Sequence, residues 1–315
     1  MMNTQVYAAR LQDHEALVRS SSGGAFIAIS DYFLANNNAI LCSGYDYLTH
    51  QTEQMLIFDK TKRNQCIGSM YMQSYVLNSW KEAIEWLKRN PEKELAFFGL
   101  GCQGDAFIKI CEKYNIRERV TIVDIICHGV PSPLIWKEYV GKLEREGKIS
   151  DINFRDKRNG WSKSIGVAKI NGKEVSLSEW RRLYSSRMML RPCCSVCPYT
   201  KIDRQTDITI GDFWGLEKSI PEFYNEDGTS LFLIHTDKGA ELFDKLRDVL
   251  DYRKSDVSKC IQPNLQKPTE HSKHRQAFWR DYETKGIDYI VKKYGKKRII
   301  KKIVRYLARK ILRLF

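Results

Sequence analysis

Two cysteines, Cys194 and Cys197, have the C-x2-C spacing that lets two thiolates on one tight turn bind a single metal ion or an iron-sulfur cluster. Two ligands do not complete such a site. Cys102 and Cys127 each follow directly after an apolar run that is typical of a buried strand. Because open α/β sheets gather their ligands at strand ends, we expect the four thiols to converge on one site.

The composition is that of an ordinary globular protein, with 315 residues, 43% hydrophobic and 29% charged. No apolar run approaches the roughly 18 to 20 residues of a membrane span, and the N-terminus lacks a secretory pattern, which predicts a cytoplasmic protein. Disulfides are rare in that reducing compartment, so clustered cysteines are interpreted as ligands or redox groups. The scattered cysteines are interpreted as buried or incidental, and they are Cys42, Cys66, Cys111 and Cys260.

The net charge of +14 is concentrated at the C-terminus. Residues 292–315 contain eleven Lys or Arg and no acidic residue, which leaves +3 for the rest of the chain. Apolar and basic residues alternate there at three- and four-residue steps, a pattern that predicts a basic amphipathic helix over 291–315. Such a helix favours peripheral binding to an anionic membrane surface, and the alternative is packing on the protein body or on a partner. Nucleic-acid binding is disfavoured because the tail lacks a base-stacking aromatic array.

The elements before Cys127 predict a mixed α/β fold. An apolar strand at 95–98, a glycine turn, a helix and a second apolar strand at 120–126 form a βαβ unit with a parallel sheet. The pattern then alternates, and Asn171-Gly172 predicts an antiparallel hairpin. We therefore expect a parallel βαβ core followed by an antiparallel second half within an oxidoreductase domain at 1–255. A linker region at 256–290 and the basic helix at 291–315 would follow.

Two further features could do chemistry. The turn at 20–24 precedes a helix predicted from residue 25 to about residue 34, and its hydroxyls and backbone N–H groups could bind a phosphate, although a plain N-cap is the alternative. His128 follows a predicted ligand and could donate a proton, because an imidazole titrates near neutrality, whereas a structural histidine is the alternative. Asp212 and Trp214 are predicted to serve packing and turn formation.

Seven motifs occur in one order between about residues 6 and 250. They are Ser-Ser-Gly-Gly, Gly-Ser-x-Tyr-x-Gln-Ser, Gly-x-x-Cys-Gln, Ile-Cys-His-Gly-Val-Pro-Ser-Pro, Phe-Arg-x-Lys-x-x-Gly-Trp, Arg-Pro-x-Cys-x-x-Cys and Asp-Ile-Thr-Ile-Gly-Asp-Phe-Trp-Gly. This series resembles the coenzyme F(420) hydrogenase/dehydrogenase beta-subunit family, and most closely the members found among bacterial polysaccharide-synthesis genes. Members of that family are flavoproteins with a 4Fe-4S cluster.

The resemblance implies an oxidoreductase with a 4Fe-4S cluster on Cys102, Cys127, Cys194 and Cys197. Cys193 is a bystander in this interpretation. The resemblance also implies FAD bound by Ser21, Ser22, Gly23, Gly24, Ser69, Tyr71, Gln73 and Ser74. Met70 stands where the family has a lysine. No run of ferredoxin-type cysteines precedes residue 20, so we expect a separate ferredoxin-like electron donor.

Three functional classes follow. The first is a flavin and iron-sulfur oxidoreductase in surface-polysaccharide metabolism, with His128 as the candidate catalytic residue. The second is a structural zinc protein that uses the same four cysteines. The third is a membrane-surface scaffold that works through its basic tail.

Overall fold

The structure of the protein is a computed structural model that describes residues 4–296. The strands are β1 Gln5–Leu11, β2 Ala39–Asp46, β3 Gln51–Ile57, β4 Ser74–Tyr75, β5 Leu95–Leu100, β6 Val120–Ile125, β7 Ile149–Asp156, β8 Ile165–Ile170, β9 Lys173–Ser176, β10 Ile208–Asp212, β11 Ser230–Ile234 and β12 Leu250–Ser255. The helices are α1 His14–Arg19, α2 Ala25–Ala35, α3 Lys60–Asn64, α4 Leu77–Arg89, α5 Gly101–Lys113, α6 Pro133–Leu143, α7 Ser178–Ser185, α8 Leu216–Ser219, α9 Asp237–Lys245, α10 Val257–Cys260 and α11 Arg275–Ile290.

Among the described residues, nine strands form the main sheet in the order β12-β1-β11-β10-β6-β5-β2-β3-β4. Its centre is parallel, because β2, β5, β6 and β10 pair in one direction. The βαβ unit predicted from the sequence is confirmed as β5-α5-β6, with Leu95 paired to Val120. The carboxyl ends of these parallel strands therefore meet at one edge of the sheet, which we call the carboxyl edge.

The antiparallel second half is also confirmed. Strands β7, β8 and β9 form a separate antiparallel sheet in that order. Asn171 and Gly172 both have positive φ, at 48° and 77°, which is the conformation of the tight hairpin turn that an Asn-Gly pair predicts. This small sheet packs with α6, α7 and α11 in one apolar cluster. Trp136, Trp180 and Phe278 belong to this cluster and are almost completely shielded from solvent.

The segment 256–290, for which the sequence predicts a linker, contains α10 and α11. Phe278 and Ile290 of α11 are both 0% exposed, so this segment contributes to the core. Gly286 interrupts α11 with φ of 69°, a left-handed value that glycine adopts at little cost. The division of the chain into three parts stays a prediction.

Most of the predicted basic helix at 291–315 lies outside the described residues. Residues 4–296 include no helix that is both long enough and apolar enough to cross a membrane.

Candidate functional site

The four cysteines of the predicted ligand set line one cavity at the carboxyl edge. Cys102 lies in the first turn of α5, immediately after β5, and Cys127 lies two residues after β6. Cys194 and Cys197 come from the turn that follows α7. The cavity has a volume of about 40 Å³. Residues separated by up to 95 positions along the chain thus line one cavity. Cys102 and Cys127 reach it because they follow adjacent parallel strands, and Cys194 and Cys197 reach it because their turn is hydrogen-bonded to the loop after Cys127.

The cysteine turn is fastened to the loop that follows Cys127. The Arg191 N–H donates to the Val130 carbonyl at 2.8 Å, and the Ser132 N–H donates to the Met189 carbonyl at 2.9 Å. Arg275 of α11 donates to the carbonyls of Met188 and Leu190 at 2.8 and 2.6 Å. These backbone bonds fix the position of Cys194 relative to Cys127.

Backbone N–H groups point at two of the sulfurs. The Gly129 N–H donates to Cys127 Sγ at 3.3 Å, and the Val130 N–H donates to Cys194 Sγ at 3.4 Å. Such donors stabilise thiolates, and around an iron-sulfur cluster they set its potential. Gly129 has φ of +108°, and a Cβ there would lie 3.0 Å from Leu190 Cδ1, so the turn requires glycine.

The protein around the cavity disfavours the charged form of at least two of its thiols, those of Cys127 and Cys102. Burial raises the pKa of Cys127 to about 12, and its thiol neighbours raise it further. Burial, together with the neighbouring thiols, also raises the pKa of Cys102. Four thiolates at this place would therefore need a cationic group among them, which is what a metal centre supplies.

Within residues 4–296 no group of three or more His, Cys, Asp or Glu side chains is arranged to hold a single metal ion. The assignment of the four thiols as ligands therefore stays a prediction. Cys193 is exposed and does not line the cavity. The four scattered cysteines are buried, as predicted.

A buried ion pair lies directly behind the cavity. Asp124 of β6 is 0% exposed and accepts a hydrogen bond from Arg204, which lines the cavity, at 2.6 Å. The Thr206 and Thr209 hydroxyls also donate to the Asp124 carboxylate. Burial raises the pKa of Asp124, and these donors oppose the shift. A Cβ at Gly101 would lie 2.9 Å from Asp124 Oδ2, so the helix that carries Cys102 begins in contact with this pair.

His235 extends the same network. Its Nε2 lies 2.8 Å from Thr209 Oγ1, and its Nδ1 lies 3.2 Å from Thr4 Oγ1. Because the Thr209 hydroxyl donates to Asp124, its oxygen accepts from the Nε2–H of His235. Burial lowers the pKa of His235 to about 4, and Arg204 lowers it further.

We expect His235 to make the free energy of unfolding depend on pH. The folded state holds the imidazole neutral, whereas an unfolded histidine titrates near 6.5, so its contribution is complete above that pH and falls as pH drops towards about 4. The loss between pH 7 and pH 5 should be about 2 kcal/mol. Urea unfolding at both pH values, compared with His235→Asn, measures this contribution. An equal loss in the variant would assign it to other groups.

A second polar group lies beside the cysteine cavity, at the ends of β7 and β10. Asp212 accepts hydrogen bonds from Arg155 and, at 2.9 Å, from Trp161 Nε1. The rings of Trp161 and Trp214 stack with centroids 4.5 Å apart. Trp214 thus packs as predicted, whereas Asp212 is the last residue of β10 and holds Arg155 instead of forming a turn.

His128 is next to this group and lines the cysteine cavity. Desolvation by the surrounding protein lowers the pKa of His128. The negative charge of Asp212 raises this pKa, and the positive charge of Arg155 lowers it further. An imidazole accepts a proton at its unprotonated ring nitrogen, and the imidazolium that results can give the proton back.

The predicted flavin segment at Ser21–Gly24 is partly used for packing. The Ser22 hydroxyl donates to the Thr229 carbonyl at 3.1 Å. A Cβ at Gly23 would lie 2.4 Å from both the Ala9 carbonyl and the Ser230 nitrogen, so close backbone packing explains that glycine. Gly24 has φ of +87° and begins α2 without a side-chain cap. The hydroxyls of Ser21 and Thr229 are buried and lack hydrogen-bond partners within the described residues.

The predicted flavin segment at 69–74 sends its side chains to different places. The Tyr71 ring packs against Tyr184 and Phe154, with centroids 4.9 and 5.9 Å away. The Ser74 hydroxyl lies 2.9 Å from that of Ser43, and Gln73 lines a second cavity. Ser69 is half-buried in the loop before Tyr71.

The end of β7 connects the two predicted flavin segments. Arg155 lies close enough to Tyr71 on one side to interact with it electrostatically. Lys157 Nζ donates on the other side to the carbonyls of Leu17 and Ser22 at 2.7 and 3.0 Å, and to that of Asp227. Burial lowers the pKa of Lys157 to about 8. Arg155 and Lys157 belong to the sequence motif Phe-Arg-x-Lys. The alternating pattern of this segment predicted a strand, but it did not predict that these two side chains would connect the predicted flavin segments.

Together these elements define a mixed α/β protein with a cysteine-lined cavity at the carboxyl edge of its main sheet. The same fold occurs in a chain of the F(420)-reducing NiFe hydrogenase complex from Methanosarcina barkeri, seen in a xenon-derivatised structure. The two chains superpose with a TM-score of 0.54 at 17% identity, and the match covers 91% of this chain and 89% of the other.

The sequence profile of the coenzyme F(420) hydrogenase/dehydrogenase beta subunit, C terminus, matches residues 92–258. The protein therefore belongs to the coenzyme F(420) hydrogenase/dehydrogenase beta-subunit family, which bears out the resemblance carried by the seven motifs. The matched region contains all four cysteines of the cavity, as well as Arg155 and Asp212. Among curated proteins no sequence matches this chain.

Proposed function

We propose that this protein is an oxidoreductase in which the four cysteines of the cavity hold a 4Fe-4S cluster and a flavin binds beside it. Electrons would pass between an external ferredoxin-like donor and an acceptor in surface-polysaccharide metabolism. The observation that carries the proposal is the common cavity of Cys102, Cys127, Cys194 and Cys197.

The donor set fits a cubane cluster. Such a cluster takes four soft thiolate ligands and backbone N–H donors to its sulfurs, and the bonds from Gly129 and Val130 provide donors of that type. When bound, the cluster supplies one-electron transfer. The chain itself brings together four thiols that are distant in sequence. The buried Arg204–Asp124 pair lies behind these thiols and excludes water from that side.

The fit to a flavin rests on the turn before α2. The partnerless hydroxyls of Ser21 and Thr229 and the uncapped N-terminus of α2 are donors that a pyrophosphate could use. Lys157 orders the turn through three carbonyls and places a half-buried positive charge next to it. Tyr71 and Arg155 would then lie between that turn and the cysteine cavity. When bound, the flavin supplies hydride or two-electron chemistry.

His128 is the residue that we propose to exchange a proton with flavin or substrate. It lines the cavity, and Asp212 and Arg155 next to it are fixed by their mutual ion pair. Three other members of the predicted flavin set, Ser22, Gly23 and Ser74, would act through the backbone or by shaping the turn, because their contacts in the structure are to protein atoms.

Peripheral attachment to an anionic membrane surface through residues 291–315 remains part of this proposal on the strength of their sequence.

Flavin binding tests the proposal directly. We expect anaerobically reconstituted protein to bind one FAD per chain, and Met70→Lys to raise the affinity or the reduction potential by adding a cation where the family has one. Ultrafiltration followed by flavin fluorescence measures the bound fraction. The double variant Met70→Lys/Lys60→Met keeps the original net charge, so it separates the local effect of the new lysine from that of net charge. Failure to bind either FAD or FMN would place the structural zinc protein ahead of the oxidoreductase.

A further inference from the structure

A second cavity, of about 230 Å³, lies between β3, β4 and the first turn of α6. We propose that it binds the phosphate ester of an apolar or aromatic alcohol. This inference does not depend on the cluster, whose four cysteines line the other cavity, and it shares only Gln73 with the residues proposed for the flavin. The residues that carry it are Gln51, Thr52, Gln73, Tyr75, Leu134 and Lys137.

Thr52 is the first observation that points to a ligand. Its side chain is 1% exposed, it lines the cavity, and its hydroxyl is buried without a hydrogen-bond partner among the residues described. A buried hydroxyl without a partner destabilises a folded protein, so such groups are rare unless something binds them.

The start of α6 supplies the electrostatics for an anion. Pro133, Leu134 and Lys137 all line the cavity, so the first turn of this 11-residue helix faces it. Ser132 makes no side-chain cap, which leaves the first N–H groups for a ligand. The positive end of the helix dipole and the Lys137 ammonium then act on the same point.

The number of donors favours phosphate over carboxylate. The cavity has more hydrogen-bond donors than the two oxygens of a carboxylate need. The donors are the Thr52 hydroxyl, the amides of Gln51 and Gln73, the Lys137 ammonium and the N–H groups at the start of the helix. His50 also lines the cavity, but its ring nitrogens are bound to Tyr45 and Glu144 at 2.9 and 3.0 Å.

The other walls are apolar. Trp136 and Met72 are buried in the inner wall, whereas Tyr75 and Leu134 stand at the mouth with 46% and 48% of their surface exposed. Exposed aromatic and aliphatic side chains beside a polar cavity suit a ligand with an apolar body.

The cavity is connected to the candidate redox site by packed rings. The ring centroids of Trp136 and Phe154 are 5.4 Å apart, and those of Phe154 and Tyr71 are 5.9 Å apart. The centroids of Tyr71 and Tyr184 are 4.9 Å apart. The Tyr184 hydroxyl donates to the Gly129 carbonyl beside the cysteines at 3.2 Å. A ligand in this cavity would thus lie next to the redox site without occupying it.

Calorimetric titration of the full-length chain with 1-naphthyl phosphate tests the proposal. We expect one saturable site, with 1-naphthol and inorganic phosphate each binding at least about 10-fold more weakly. Lys137→Gln should weaken binding about 10-fold. Lys142→Gln, on the same helix but outside the cavity, is the matched control and should change binding less than about 2-fold.

Thr52→Val separates binding from folding. Because it removes a buried hydroxyl without a partner, it should raise the Tm of the free protein by a few degrees while weakening binding about 3- to 10-fold. Absence of saturable binding at millimolar naphthyl phosphate would overturn the proposal. So would affinity unchanged in both Lys137→Gln and Thr52→Val, or equal affinity for 1-naphthol.

Discussion

Cys197→Ser should reduce the iron content of anaerobically purified protein from about four atoms per chain to nearly none, because a cubane cluster needs all four of its thiolates. Cys197 lines the cavity with the other three cysteines and reaches it from the turn that α11 and the loop after Cys127 hold in place. Colorimetric iron and sulfide analysis gives the result. Partial retention, with a new ligand replacing the thiolate, would appear as a changed spectrum rather than as full iron content.

Cys193→Ser is the matched control for this experiment. Cys193 is four residues from Cys197 and chemically identical, but it is exposed and outside the cavity lining. Its loss should leave iron content unchanged. Iron lost from Cys193→Ser and retained in Cys197→Ser would mean that the cluster uses the other thiol.

Arg204→Met should destabilise the protein by about 3 to 5 kcal/mol, since it leaves the Asp124 carboxylate buried without its cation. The two side chains are 3% and 0% exposed. The raised pKa of Asp124 limits the loss, because the carboxyl can take up a proton and keep its bonds from Thr206 and Thr209. Urea unfolding at pH 7 measures the difference in the free energy of unfolding.

Lys109→Met provides the comparison for that variant. Lys109 also pairs with an aspartate, Asp105, at 2.9 Å, but its side chain is 69% exposed. Solvent screens such a pair, so its loss should cost less than about 1 kcal/mol. Equal destabilisation by the two variants would contradict the view that burial behind the cavity makes the Asp124 pair important.

The sequence predicted the parts of the fold that repeat a local pattern. The apolar runs before Cys102 and Cys127 identified β5 and β6, and the Asn171-Gly172 pair identified the hairpin between β8 and β9. Strand β12 and helix α11 were missed. The charged sequence of β12 does not show the pattern of a strand, and within residues 4–296 β12 is an edge strand that pairs with β1 alone. In α11, Gly286 breaks the helical period.

The sequence also indicated where the candidate site lies, because cysteines after parallel strands must meet at the carboxyl edge. It did not indicate the contacts that fix the site. The hydrogen bond from Arg275 to the Leu190 carbonyl joins residues 85 positions apart. The hydrogen bond from Lys157 to the Ser22 carbonyl, in the turn before α2, joins residues 135 positions apart. No local period encodes such pairs, since they arise only when the small sheet and α11 pack against the main sheet.

The central claim is that the four cysteines of the cavity hold an iron-sulfur cluster, and electron paramagnetic resonance of the dithionite-reduced, anaerobically purified protein tests it most directly. The account predicts a brown protein with about four iron and four sulfide per chain and the low-temperature signal of a reduced 4Fe-4S cluster. A colourless protein that contains about one zinc per chain and gives no such signal would contradict it and favour a structural zinc site.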